Sequence, residues 1–146
     1  MSRPPRTTNT GTFFITAITL MRRRRFQVDT TALLFLETLQ HYRRTGIYKL
    51  HAFAVMPDHI HLLITTDDLP KAMKDLKGSF AHKMGGERFW QQGYTDHVVR
   101  DRADFDAHVT YIHQNPVRKR LVETAEDYPY SSAYRGGVRV SKEESS

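Results

Sequence analysis

The chain has no cysteine. That excludes disulfide cross-links, thiolate zinc sites and a cysteine nucleophile, and leaves the redox compartment undetermined. Long apolar runs are missing as well. Nothing approaches the roughly 20 residues of a membrane-spanning helix, and the start lacks the small-residue cleavage site of a signal peptide, so a cytoplasmic protein without a membrane partner is expected. Acid is absent from the whole N-terminal stretch. No Asp or Glu precedes Asp29, while Arg3, Arg6 and the run Arg22, Arg23, Arg24, Arg25 all fall there. An acid-free arginine segment suits a polyphosphate partner, because guanidinium forks match phosphate oxygens and binding releases counterions. The bland alternative for such a run is a solvated surface loop.

What is present reads as one soluble domain spanning residues 1–146, with residues 1–10 and 140–146 as flexible ends. The 39% hydrophobic and 26% charged content is ordinary for a globular protein, and the net charge is +6 from 22 Lys+Arg against 16 Asp+Glu. The length allows one sizeable core and no second domain. "TFFITAITL" is aromatic and β-branched, which is strand chemistry. From Asp29, as N-cap, apolar residues recur at helical spacing as far as Gly46. "YKLHAFAVM" and "HIHLLITT" form a hairpin about Pro57 and Asp58. A helix with Pro70 near its start and a glycine pair at its end follows, then the short strand "GYTDHVVRD", then a third helix interrupted by Pro116. The order β-α-β-β-α-β-α predicts an α+β, ferredoxin-like fold: a four-stranded antiparallel sheet with helices packed on one face. That fold serves many functions, so the site must decide.

His59 and His61 lie one residue apart in "MPDHIHLLI". On a strand both imidazoles face one side while Ile60 and Leu62 face the other, into the core. Two imidazoles on one sheet face begin a divalent metal site, or are simply two polar residues on a wet surface. In "TYIHQNPV", Tyr111 and Asn115 are four apart and share a helix face, with His113 pointing away. An amide oxygen and a phenol projecting together could complete the histidine site as ligand and nucleophile. The alternative for Tyr111 is an amphipathic tyrosine at the edge of the core. Asn115, before a proline, is expected at a helix end or kink. His97 is read as a hydrogen-bonded structural histidine, as are His51 and His113, and Asp58 as a turn residue.

Four blocks in order, "VMPDHIHLLI", "WQQGYTDHVVRD", "YIHQNPVRKRLV" and "EDYPYSSA", with the N-terminal "GTFFITAITLMRRRR", resemble the REP-associated tyrosine transposases of the single-tyrosine HUH superfamily. The resemblance runs from about Thr12 to Tyr134. It implies that His59 and His61 are the HUH histidines with Ile60 between them, that Tyr111 is the nucleophile, and that Asn115 stands where insertion-sequence relatives carry Gln. It further implies Mg²⁺ or Mn²⁺ as cofactor, held by His59, His61 and Asn115. Imperfect DNA hairpins and adjacent single-stranded DNA become the partners, a monomer becomes the favoured state with a homodimer as the alternative, and a 5′-phosphotyrosine becomes the intermediate. DNA contacts are expected from the arginine run, from Arg118, Lys119 and Arg120, and from Tyr134 and Arg135. For "YPYSSAYR" the alternative is that its aromatics tie down the C-terminal segment.

A phenol, ionising near pH 10, needs help to attack phosphate at neutral pH, and a metal ion gives it by polarising a non-bridging oxygen. Two other classes fit the sequence less well. A phosphodiesterase with two H-x-T/S motifs, or a zinc hydrolase, would need a second matching block, and none follows. A noncatalytic module with an RRM-like sheet would need aromatic-rich RNA-binding motifs and would have no use for paired histidines facing a tyrosine.

Overall fold

The computed structural model describes residues 8–86 and 88–138. Arg3, Arg6 and the C-terminal end expected to be flexible lie outside the described residues, as does most of the N-terminal lead-in. The elements are β1 (Gly11–Ile18), α1 (Asp29–Arg44), β2 (Lys49–Met56), β3 (His59–Thr66), α2 (Leu69–Lys83), β4 (Thr95–Val99) and α3 (Arg102–Arg118). The strands form one sheet in the order β2-β3-β1-β4, with every neighbouring pair antiparallel. This is the ferredoxin-like β-α-β-β-α-β unit with one further helix. Among the described residues, no helix is long and apolar enough to cross a membrane.

Local chemistry sets the boundaries. Asp68 and Asp101 cap α2 and α3, their carboxylates accepting the backbone N–H groups of Lys71 and Asp104 at 3.2 and 2.8 Å. Asp29 does not cap α1. It is the first helical residue, where an acid still suits the helix dipole, and its carboxylate accepts the Tyr130 hydroxyl. Gly46 ends α1 at φ 85°, a left-handed conformation that glycine adopts without a Cβ clash. Pro116 does not interrupt α3. The helix runs on to Arg118, because the N–H that proline lacks falls in the last turn, and the Asn115 carbonyl still accepts from Lys119 at 3.0 Å.

The sheet divides the core in two. Phe13, Ile15 and Ala17 of β1, Phe53 and Val55 of β2, and Ile60, Leu62 and Ile64 of β3 face α1 and α2. The register of β2 slips between Leu50 and Ala52. That bulge sends Leu50 to the α1/α2 side while Ala52, Ala54 and Met56 face the other. The expectation of helices on one face therefore holds for α1 and α2 and needs correcting for α3, which packs on the opposite face. Ile112, with Phe105 and Val109, meets Ala52, Ala54, Met56 and Leu63 there. The physical reason is space: α1 and α2 already fill the first face, and the small Ala52 and Ala54 side chains let a helix lie close to the second.

Residues 130–132 run beside β2. Val55 N–H donates to the Tyr130 carbonyl at 2.8 Å, Ser132 N–H to the Phe53 carbonyl at 3.0 Å, and Ala54 forms an isolated bridge with Ser131.

Candidate active site

Strand alternation decides what stands on the α3 side of the sheet. In β3, His59 and His61 alternate with the fully buried Ile60 and Leu62, as the H-x-H spacing predicts. Across the register, His61 sits between Thr16 of β1 and Ala54 of β2, and His59 between Ile18 and Met56. The two imidazoles meet edge to face with centroids 4.7 Å apart.

Each ring is held through Nδ1. The Asp58 carboxylate lies 2.7 Å from His59 Nδ1, and the Thr16 hydroxyl 2.9 Å from His61 Nδ1. Asp58 therefore does more than shape a turn. Its other oxygen takes the Arg22 guanidinium at 3.3 Å, and although burial raises its pKa, His59 and Arg22 together hold that carboxyl below the usual range. Burial lowers the His59 pKa against the pull of Asp58. Burial first, then the charges of His59, Arg118 and Lys119, push His61 down to about 3. Both rings are thus neutral near pH 7, with Nε2 available as a ligand atom, and a carboxylate behind a ligating histidine is a common orienting device.

Helix α3 brings the remaining groups. Asn115 is 2% exposed and its amide nitrogen lies 3.4 Å from His59 Nε2. Rotating that amide by half a turn exchanges its nitrogen for its oxygen and presents a ligand oxygen at the same place. Tyr111, one turn earlier, is 44% exposed, and its ring lies 5.6 Å from that of His61 and 5.8 Å from that of Phe14. Two imidazole nitrogens and an amide oxygen, open on the side of an exposed tyrosine, fit a divalent ion that keeps positions for phosphate oxygens and water. His113 points away, as the helical spacing predicts, to Ser132 Oγ at 2.7 Å. His51 meets Thr65 Oγ1 at 2.7 Å. His97 hydrogen-bonds Asp104 at 3.0 Å, in keeping with a structural reading.

The basic residues divide. Thr19 N–H and Phe26 N–H both donate at 3.0 Å to the carbonyls of Asp58 and Pro57, so the arginine loop is pinned to the hairpin turn beside His59. Met21 and Arg22 accept left-handed φ values of 57° and 51° within that loop, a conformation that costs energy in a non-glycine residue. Arg22, Arg24 and Lys119 line a cleft of about 180 Å³ with Asp58, His59 and Leu121. Arg25 instead lies over the Phe89 ring, 4.4 Å from its centroid, and Arg23 is exposed.

Arg118 covers the Tyr111 ring at 4.2 Å and donates to the Tyr111 carbonyl at 2.9 Å. Arg120, at φ 60° just past α3, lines a separate, shallow concavity with Glu123 and Asp127. Arg135 pairs with Asp127 at 2.9 Å, and Tyr134 is half-buried. In the same segment Tyr128 donates to the Val55 carbonyl at 2.6 Å and Tyr130 to Asp29, which is the tying-down role. Sequence reading missed Thr16, the cross-strand neighbour of His61, and Phe14, whose ring meets that of Tyr111. Their signal was the alternation of β1, legible only once its register with β3 is known.

Comparison with known proteins identifies the family. The family model described as "Transposase IS200 like" matches residues 12–115, a span that ends on Asn115. The chain is similar to the REP-associated tyrosine transposase of Escherichia coli strain K12, at 31% identity over 134 residues, which cover 88% of this chain and 80% of that protein. Its structure is similar to that of a REP-associated tyrosine transposase bound to a REP hairpin, with a TM-score of 0.80 and 28% identity over 95% of this chain and 89% of the other. A Deinococcus radiodurans protein solved as a transposase shares the fold, with a TM-score of 0.53 at 22% identity over 76% of this chain and 97% of that one. By the extent of these matches and by identity, the chain belongs to the REP-associated tyrosine transposases, single-tyrosine HUH enzymes whose chemistry depends on a metal ion.

Proposed function

We propose that this chain binds imperfect DNA hairpins, cleaves the adjacent single strand with Tyr111, and rejoins strands through a 5′-phosphotyrosine. The observation that carries the reading is the convergence on one sheet face of His59, His61, Asn115 and the exposed Tyr111, with Asn115 3.4 Å from His59 and the Tyr111 ring 5.6 Å from His61. Tyr111 Oη attacks the scissile phosphorus, the new bond is P–O(Tyr), and the bond to the 3′ oxygen breaks to leave a 3′-hydroxyl after protonation. Because the ester keeps the energy of the broken bond, attack by a 3′-hydroxyl on the phosphotyrosine reseals a strand without ATP.

His59, His61 and Asn115 would hold a divalent ion, Mn²⁺ or Mg²⁺, which when bound polarises a non-bridging phosphate oxygen. Imidazole ligands favour Mn²⁺. Asp58 and Thr16 fix the two rings, and Arg118, stacked on Tyr111, holds the phenol at the open edge of the site. Arg24 and Lys119 offer the backbone phosphates a basic seat beside His59. Ring contact between Tyr111 and His61 of one chain supports attack within a single subunit, and hence a monomer. A DNA substrate supports a cytoplasmic location.

The test is incubation with single-stranded DNA carrying the hairpin that flanks its own gene, with Mn²⁺, followed by denaturing electrophoresis. The native chain gives a covalent adduct, and Tyr111→Phe gives none while binding the hairpin as well as before. An adduct retained by the Phe variant would remove Tyr111 from the mechanism.

A further inference from the structure

Beyond Phe14 from the paired histidines lies a second group of ligating side chains. His97 of β4 is the register partner of Phe14, and it stands on the sheet face that α3 covers. Asp104 and His108 are four apart on α3 and so share one face of it. His97 Nε2 lies 3.0 Å from Asp104 Oδ2 and His108 Nδ1 lies 3.1 Å from Asp104 Oδ1. One ligand atom from each of the three residues falls within 4.8 Å of the other two. The imidazole rings are 4.9 Å apart and inclined by 31°.

We propose that His97, Asp104 and His108 form a second divalent-metal site, of the zinc type, which clamps β4 to the first turns of α3. Two ligand atoms bound to zinc at about 2.0–2.1 Å with a tetrahedral angle between them stand about 3.4 Å apart. The spacings of 3.0 and 3.1 Å run to the two different oxygens of Asp104, and one atom from each residue falls within 4.8 Å of the others, so the three ligand atoms close toward that figure as the ion binds. Two imidazoles and one carboxylate make a borderline donor set that suits zinc, cobalt or nickel better than magnesium, and leaves a fourth position for water. With no cysteine in the chain, no thiolate competes for the ion.

His97 is about half exposed, with 51% of its side chain open to solvent, so an ion can enter without unfolding. His108 Nδ1 also faces the Asp104 backbone carbonyl at 2.9 Å. An ion taken at Nδ1 replaces that bond, and the neutral ring then carries its hydrogen on Nε2.

The clamp acts at a distance from the DNA chemistry. Tyr111 follows His108 by three residues, and the Phe14 ring touches three others: His61 at 5.3 Å, His108 at 4.6 Å and Tyr111 at 5.8 Å. An ion that fixes His108 against β4 therefore fixes the turn of α3 that carries Tyr111, a consequence that rests on the proposed role of that tyrosine. The metal site itself does not.

The experiment uses the full, untagged chain carrying His59→Ala and His61→Ala, titrated with Zn²⁺ by calorimetry. One ion per chain is expected, and adding His97→Gln and Asp104→Asn should abolish its binding. No ion bound by the first variant, or equal binding after the second pair of substitutions, would overturn the site. If the first variant does not fold, the native chain is compared with His97→Gln/Asp104→Asn: a fall by one ion per chain supports the site and unchanged stoichiometry overturns it. None of these readouts depends on Tyr111 or on cleavage, so their failure leaves the test of the proposed function standing.

Discussion

On one side of the sheet, α1 and α2 close over a layer of fully buried apolar residues, among them Phe13, Ile15, Phe35, Leu62 and Phe80. On the other, α3 covers a layer that mixes Ala52, Leu63 and Ile112 with buried His59, His61 and Asn115. The two layers share strand β3, whose even-numbered residues Ile60, Leu62 and Ile64 serve the first while His59 and His61 serve the second. The strand is rigid because its apolar half is packed, and that rigidity places the imidazoles. Stability and chemistry are thus assigned to alternate positions of one element, and substitution should separate them.

The largest separation is expected at adjacent residues. His61→Ala removes a proposed ligand and should reduce cleavage by more than the ~10–100-fold that loss of an outer partner costs, while the thermal midpoint stays near that of the native chain. Leu62→Ala, one residue on, should cost about 2–5 kcal/mol of stability and spare the cleavage rate of the molecules that remain folded. Denaturant titration beside a single-turnover cleavage assay checks both. Equal stability losses would mean that the two faces are not independent.

A smaller effect is expected at Asp58. Asp58→Asn keeps the size of the side chain but removes the charge behind His59, and should weaken Mn²⁺ affinity about 10–100-fold, as measured by the metal dependence of cleavage. An unchanged metal dependence would return Asp58 to the role of a turn residue.

The smallest effect concerns the arginine loop. Four phosphate contacts would flatten the slope of log affinity against log salt by roughly 3 when Arg22 to Arg25 are all replaced by Ser. Arg22 is committed to Asp58 and Arg25 to Phe89, so the expected change is that of two contacts, roughly 1.5. Preference among hairpin sequences should stay the same, since phosphate contacts position and base contacts specify. Binding isotherms over a salt series distinguish the two values.

Much of this arrangement was legible before any fold was known, because it depends on short-range periodicity. The alternation of β3, the turn at Pro57 and Asp58, the stop at Gly46 and the four-residue spacing of Tyr111 and Asn115 all follow from local geometry. What escaped was long-range choice. An amphipathic α3 must bury its stripe, but its sequence does not say against which face of the sheet. The four arginines look alike, yet Phe89 and Asp58, distant in sequence, give two of them different duties. His97 reads as an isolated histidine until the fold places Asp104 and His108 beside it.

The segment that runs beside β2 has a further consequence. An outermost strand presents a row of unused backbone donors and acceptors to which another chain can add. Here Tyr130 and Ser132, more than seventy residues further along, occupy part of that row, and Tyr128 and Tyr130 anchor the segment. The edge is therefore closed only after the chain has been synthesised through Ser132. Until then a nascent chain carries an apolar ribbon with one open side, and residues made long after the strand become its safeguard against self-association.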